Sequence, residues 1–349
     1  MRNQISRRRF LGAAAMLGAL RSTGCASPTP EGLPSRGNFV IRNAYVMTMD
    51  PTVGDLDNAD VFVRNGEIIA VGSNLSASGA EVLDGSDMIV LPGFIETHWH
   101  TWTSLLRSLA GDEPERGYFP TSRGIGQFYT ANDMYVATRL AAAEAIQSGI
   151  TFVHDWCHNV RGPDFAESDL QALAESGIRA RFSYGVATAQ ANSEPINTTD
   201  LARLSTNWEN YSNEGLLSLG LAWRATVADE NGREVPEVFR RDYQAARALG
   251  LPISVHASSS RAGTGDIAAL SSAGLLGPHL QIIHAIWATP DEVQQLADSG
   301  TTVSLSPYSE LRIGYGLPST GELLAADIPV GLSVDTTALS GNADMFAIM

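Results

Sequence analysis

Gly93-Phe94-Ile95-Glu96-Thr97-His98-Trp99-His100 follows Leu91-Pro92 and ends an apolar run with two histidines one residue apart. Side chains at i and i+2 of a strand share a face, so His98 and His100 aim together while Trp99 points elsewhere. Alone, the pair reads either as a metal-binding motif at the mouth of a barrel or as two ordinary strand histidines. The pattern on either side of it decides.

Downstream the chain alternates apolar, strand-like runs with alanine-rich helical stretches. Eight strands are predicted: Phe94 to Trp99, Thr151 to Trp156, Ala180 to Gly185, Leu217 to Trp223, Pro252 to Ala257, Leu280 to Ile286, Thr301 to Ser306 and Pro329 to Val334. Helices are predicted over Asp133 to Ser148, Ser168 to Ser176, Pro236 to Leu249 and Pro290 to Ser299. Gly149, Gly177, Gly250 and Gly300 stand just past their ends, where a left-handed residue closes a helix. Eight strands alternating with helices predict an α/β fold, a closed (β/α)8 barrel over residues 93–349. No glycine-rich dinucleotide fingerprint follows the first strand, which argues against an open doubly wound sheet.

Upstream, residues 38–92 carry short alternating runs at Phe39 to Val46, Val61 to Val63 and Glu67 to Val71, with Asn65-Gly66 marking a hairpin turn. They predict a small N-terminal β portion with few strands for independent stability. After the eighth strand only Thr336 to Met349 remain, so the barrel is expected to be truncated at its carboxyl end.

Residues 1–37 read as an address and a linker. Ser6-Arg7-Arg8-Arg9-Phe10-Leu11 precedes the apolar stretch Leu11 to Leu20, shorter than the roughly 20 residues of a membrane span. The segment looks like a twin-arginine export signal and implies a periplasmic or cell-envelope location. Ser22-Thr23-Gly24-Cys25 offers a lipid-anchor site at Cys25, and Ala26 to Gly37 is the linker.

Composition bounds the partners. The 349 residues are 44% hydrophobic and 17% charged, an ordinary globular balance. With 38 acidic against 23 basic side chains the net charge is -15, a field that repels nucleic acid and anionic membranes and suits a small-molecule substrate, neutral or cationic. Every basic residue is arginine; the chain contains no lysine. Two cysteines, Cys25 and Cys157, build no disulfide framework.

In a (β/α)8 barrel the chemistry sits at the carboxyl ends of the strands. His98 and His100 end the first predicted strand, His154 the second, His256 the fifth and His284 the sixth, and Asp335 follows the eighth. Scattered core histidines would not keep to one end. Two imidazoles from one strand, one from across the barrel and a carboxylate form a nitrogen/oxygen set suited to zinc or another divalent first-row metal.

With these residues in place, Pro92 to His100 resembles the first-strand motif of the amidohydrolase superfamily, metal-dependent hydrolases whose barrel accompanies a small β-sandwich built from both chain ends. Arg107, Ser306-Pro307-Tyr308-Ser309, Ser333-Val334-Asp335-Thr336 and Asn342 to Phe346 are similar to the branch of triazine hydrolases, cytosine and guanine deaminases, and methylthioadenosine or adenosylhomocysteine deaminases. The resemblance implies His98, His100 and His256 as ligands of one divalent ion, zinc or else iron, with Asp335 the fourth ligand or a close partner. Without lysine, the carboxylated-lysine bridge of two-metal members cannot form. Asp335 and His284 are the implied catalytic pair, and Trp102, His154, Arg107 and Tyr308 the substrate-binding candidates.

The expected reaction is hydrolysis of a non-peptide C–N bond in a small, heterocyclic substrate by activated water. Deaminases of the branch carry a glutamate shortly after the fifth-strand histidine, but here His256-Ala257-Ser258-Ser259-Ser260-Arg261 brings no carboxylate until Asp266. Aminohydrolase and triazine-type chlorohydrolase activities stand as alternatives, and a silent binding protein as a third; oligomeric state is left open. Weaker candidates carry bland readings too: Trp99 as core, Asp155 and His158 beside the second strand, Cys157 as a small buried hydrophobe, Arg261 as a loop residue, Glu310 and Arg312 on the loop after the seventh strand, and His279 as exposed.

Overall fold

The computed structural model describes residues 37–188, 190–224, 226–229 and 232–349. The signal-like segment, Cys25 and the linker up to residue 36 lie outside the described residues. The chain divides into two compact units, one ending at Pro92 and the other spanning Gly93–Met349.

The first unit is one mixed sheet of β1 (Phe39–Met47), β2 (Asp55–Arg64), β3 (Glu67–Gly72), β4 (Glu81–Asp84) and β5 (Ile89–Val90). β1 runs through its middle, antiparallel to β2 on one side and parallel to β4 and β5 on the other. Asn65 and Gly66 both take positive φ, 53° and 82°, as a two-residue hairpin between right-twisted strands demands. Alternate residues Ala44 and Val46 of β1 meet Ala59 and Val61 of β2 in a small apolar cluster. The expectation named three strands; β4 and β5 are too short and too exposed to show alternation, and parallel pairing to β1 is a long-range event.

The second unit carries eight parallel strands in chain order: β6 (Phe94–Trp99), β7 (Ile150–Cys157), β8 (Arg179–Tyr184), β9 (Leu217–Trp223), β12 (Ile253–Ala257), β13 (Leu280–His284), β14 (Thr302–Leu305) and β15 (Val330–Leu332). A separate hairpin, β10 (Val227–Asp229) with β11 (Gly232–Glu234), lies between β9 and β12. The ring closes where Trp99 pairs in parallel with Asp335. There His100 N–H donates to the Asp335 carbonyl (2.7 Å) and Asp335 N–H to that of His98 (2.9 Å). The strands are near-continuous apolar runs, as expected for a parallel sheet covered on its faces.

The helices between strands have legible ends. Capping boxes open Ala131–Gln147, through Thr130 and Asp133, and Pro290–Ser299, through Thr289 and Glu292. Gly149, Gly177, Gly250 and Gly300 take φ between 70° and 79° past the predicted helices. Pro307–Ile313, expected as loop, is a helix with Pro at its first turn and left-handed Gly314 at its end. Among the described residues no helix is long and apolar enough to cross a membrane.

Candidate active site

Four side chains converge at the carboxyl ends of β6 and β12 and just past β15. One ligand atom from each of His98, His100, His256 and Asp335 lies within 4.8 Å of the others. His98 Nε2 and His100 Nε2 stand 3.3 and 3.4 Å from Asp335 Oδ1, and His256 Nε2 stands 3.2 Å from His98 Nε2. Burial, reinforced by neighbouring histidines, holds the His98 and His256 imidazoles well below the ordinary range. Burial also lowers His100, against the opposing pull of Asp335. Neutral imidazoles with lone pairs to offer, plus one carboxylate, are the donor set a divalent cation requires.

The backbone is bent to make this possible. Asp335 and His284 sit at φ 60° and 78°, a left-handed region that non-glycine residues seldom occupy and that clusters at functional sites. The Asp335 turn is pinned by its two hydrogen bonds to the end of β6. Glu96, fully buried, accepts from His98 N–H and Val334 N–H (both 3.0 Å) and so ties the first and last strands beneath the cluster. Burial pushes its carboxyl up to about 8.

The neighbouring groups fix orientation. His100 Nδ1 lies 2.9 Å from the Trp156 carbonyl, which takes its N–H and leaves Nε2 free toward Asp335. His284 Nδ1 lies 2.9 Å from Glu310 Oε1, an acceptor that also receives Ser306 N–H (2.7 Å). The His284 ring centroid is 5.3 Å from that of His256 and 6.1 Å from that of His98, which places it beside the cluster. Trp102 Nε1–H, which can only donate, points at His158 Nδ1 (3.3 Å) and places the His158 proton on Nε2.

Above the cluster opens a cavity of about 470 Å3, whose wall includes Tyr118, Arg123, Trp156, His158, Arg224 and Tyr315. The substrate-binding candidates fall elsewhere. Trp102 is fully buried behind His158 and packs edge-on against Tyr129. His154 is a satisfied core histidine, with Nδ1 2.8 Å from the Thr97 carbonyl and Nε2 2.8 Å from Ser183 Oγ. Arg107 is held by Glu144 and the Gly341 carbonyl, and Tyr308 lies exposed on Pro307–Ile313. None of the four lines the cavity.

Of the weaker candidates, His158 reaches the cavity wall and Glu310 is the acceptor for His284. Trp99 and Cys157 are core. Asp155 is buried and accepts from Thr101 Oγ1 (2.7 Å). Arg312 donates to the Leu339 and Ala110 carbonyls, and Arg261 is exposed away from the cavity. His279, expected to be exposed, is half-buried against Tyr243. Asp266, the first carboxylate after His256, turns inward to Ser258 N–H (3.0 Å) and Arg233 (2.7 Å). Arg123, Tyr118, Trp156 and Tyr315 were not singled out as wall residues from the sequence. Only Trp156, two residues past His154 on one strand, carried a positional signal.

The family model described as Amidohydrolase family matches residues 89–349. Among curated proteins, a 5'-deoxyadenosine deaminase of Methanosarcina mazei is 28% identical over 323 residues, covering 89% of this chain and 72% of that one. A 5-methylthioadenosine/S-adenosylhomocysteine deaminase of Haloarcula marismortui is 27% identical over 339 residues, covering 88% and 71%. Of solved structures, an adenosine deaminase from Xanthomonas campestris with bound zinc superposes with a TM-score of 0.75 at 22% identity, covering 90% of this chain and 73% of that one. An atrazine chlorohydrolase from Arthrobacter aurescens complexed with zinc gives 0.72 at 22%, covering 88% and 74%.

Proposed function

The chain belongs to the amidohydrolase family, and on that footing we propose that it hydrolyses a non-peptide C–N bond of a small heterocyclic substrate by activated water. The observation that carries the reading is the convergence of His98, His100, His256 and Asp335, buried and mutually within 4.8 Å, at the mouth of the barrel. The set fits a divalent cation: three neutral imidazoles and a carboxylate bring nitrogen and oxygen atoms within 3.2 to 3.4 Å of one another. Zinc is the ion we propose, since the donor set suits it and two structural relatives hold it. Bound there, it would supply Lewis-acid activation of a water at neutral pH.

The protein's own residues supply the proton chemistry. Asp335 can take a proton at its carboxylate and return it to the leaving nitrogen, since among the described residues no second carboxylate lines the cavity. Asp266, engaged by Arg233 and Ser258, is turned away from that task. His284, with Nδ1 given to Glu310, holds Nε2 toward the attacking water or the oxygen that gains charge. Trp156 and the two tyrosines of the wall offer flat surfaces for a planar ring and keep bulk water out.

Deamination of an amino-heterocycle is the specific form the curated relatives favour, and a triazine-type dechlorination is the other. Metal content per chain should approach one in the purified protein and fall to background in His98→Ala/His100→Ala. Ammonia or amine release from aminopyrimidine, aminopurine and alkylaminotriazine panels, set against chloride release from chlorotriazines, then decides the form. A well-folded protein without metal, or metal-replete protein silent on every panel, would favour a binding protein instead. On the segment Ser6 to Leu20 we also propose twin-arginine-type export to the periplasm or cell envelope, with lipidation at Cys25 as one variant; cell fractionation and mass spectrometry of the mature protein test both.

A further inference from the structure

The cavity wall has an unusual charge. The chain is acidic overall, yet among the described residues no aspartate or glutamate lines the cavity, whereas Arg123 and Arg224 both do. The two arginines are not equivalent. Arg224 is neutralised by buried Asp242 (3.1 Å) and bound to the Ala191 and Glu194 carbonyls, so it braces the wall. Arg123, on the helix Tyr118–Gly126, has no hydrogen bond or ion pair among the described residues, only a ring contact with Phe119 at 5.8 Å. Its side chain is exposed and lines the cavity together with His158.

We infer that the substrate carries an anionic oxygen group, a carboxylate or its equivalent, on the side of the ring away from the scissile bond, and that Arg123 receives it. This rests on the hydrolase reading above and adds the substrate class. A planar guanidinium gives a carboxylate two parallel hydrogen bonds, and an arginine without a partner of its own has none to surrender first. His158, with its proton on Nε2, provides a second donor on the same wall for a ring acceptor. Among the described residues a cationic substrate finds no carboxylate on this wall, Asp335 lying in the cluster beneath it.

The test is calorimetric binding of two commercial product-like probes that differ only in a carboxylate, orotate and uracil, to the metal-loaded full chain and to Arg123→Gln. The wild type should bind orotate about tenfold tighter than uracil, equivalent to about 1.4 kcal/mol. In Arg123→Gln orotate affinity should fall to near that of uracil, and Arg123→Lys should restore part of it. Equal affinities in the wild type, an orotate preference that survives in Arg123→Gln, or binding of neither probe each overturns the anionic class. Because the readout is binding, failure of the hydrolase reading shows instead in the metal and product-release assays.

Discussion

At His284 the backbone leaves β13 with φ 78°, and Ala285 follows at 53°. That turn delivers the imidazole to the cluster, and Glu310 Oε1 fixes which nitrogen faces it. Glu310→Gln keeps the acceptor but removes the charge that steadies a protonated ring. We expect kcat to fall roughly 10- to 100-fold with little change in KM; steady-state kinetics on the identified substrate checks it, and an unchanged kcat would remove Glu310 from the mechanism. His154 sets a pH dependence of a different kind. Burial, ahead of the Arg181 charge, lowers its imidazole to about 3. Below pH 6.5 the unfolded chain therefore gains a proton that the native state refuses. Stability should be full above 6.5 and drain away as pH falls toward 3; urea midpoints across that range should show a shallower decline in His154→Gln. That His98, His100, His256 and Asp335 come together was legible because they recur at strand ends. Glu310 stood among the candidates on the loop after the seventh strand, but its place behind His284 was not legible, since its burial depends on the helix at Pro307–Ile313. Arg123 had no signal at all: its place on the wall is set by a segment between β6 and the next helix that has no barrel periodicity.

The strands show why most of the fold could be read. Most of the eight are short, largely apolar runs between turn residues, with polar side chains such as Arg179, Arg181 and Glu96 set among them, and a left-handed glycine separates several from the helix before. Boundaries moved by a residue or two where strand ends bend: β13 stops at His284 because that residue turns. Close approach also governs Gly331 in β15. A methyl added there would lie 2.5 Å from Thr97 Cγ2 on β6, so Gly331→Ala should cost about 1 to 3 kcal/mol by crowding the seam, read as a lower thermal midpoint. Arg107 belongs to this scale rather than to the substrate. It joins Glu144 on the helix Ala131–Gln147 to the Gly341 carbonyl, and Glu144 also accepts Ala343 N–H (3.1 Å). Arg107→Ala should loosen residues 341–343 and cost about 1 kcal/mol, discounted for partial exposure, while metal content stays near one per chain. Limited proteolysis and urea titration separate this from a binding role. The N-terminal sheet was half legible: β1 to β3 alternate, but β4 and β5 are placed by pairing with a strand some forty residues earlier.

In the whole barrel the cluster lies across the seam where the ring closes. His98 and His100 stand at the end of the first strand, Asp335 just past the last, and their backbones exchange hydrogen bonds between them. An ion held by these side chains would therefore be a rivet as well as a reagent. Its free energy of binding would be coupled to ring closure, contributing about 4 kcal/mol when free metal exceeds its dissociation constant a thousandfold. Chelation should then accelerate hydrogen exchange at the amides of His100, Val334 and Asp335 before it does so on β8 or β9, and lower the thermal midpoint together with activity. Uniform exchange after chelation would deny the coupling. Its consequence is kinetic: once stripped, the barrel must be re-zipped as well as refilled, so recovery on adding metal back should lag behind diffusion, and the chain's history of metal supply becomes part of its specific activity.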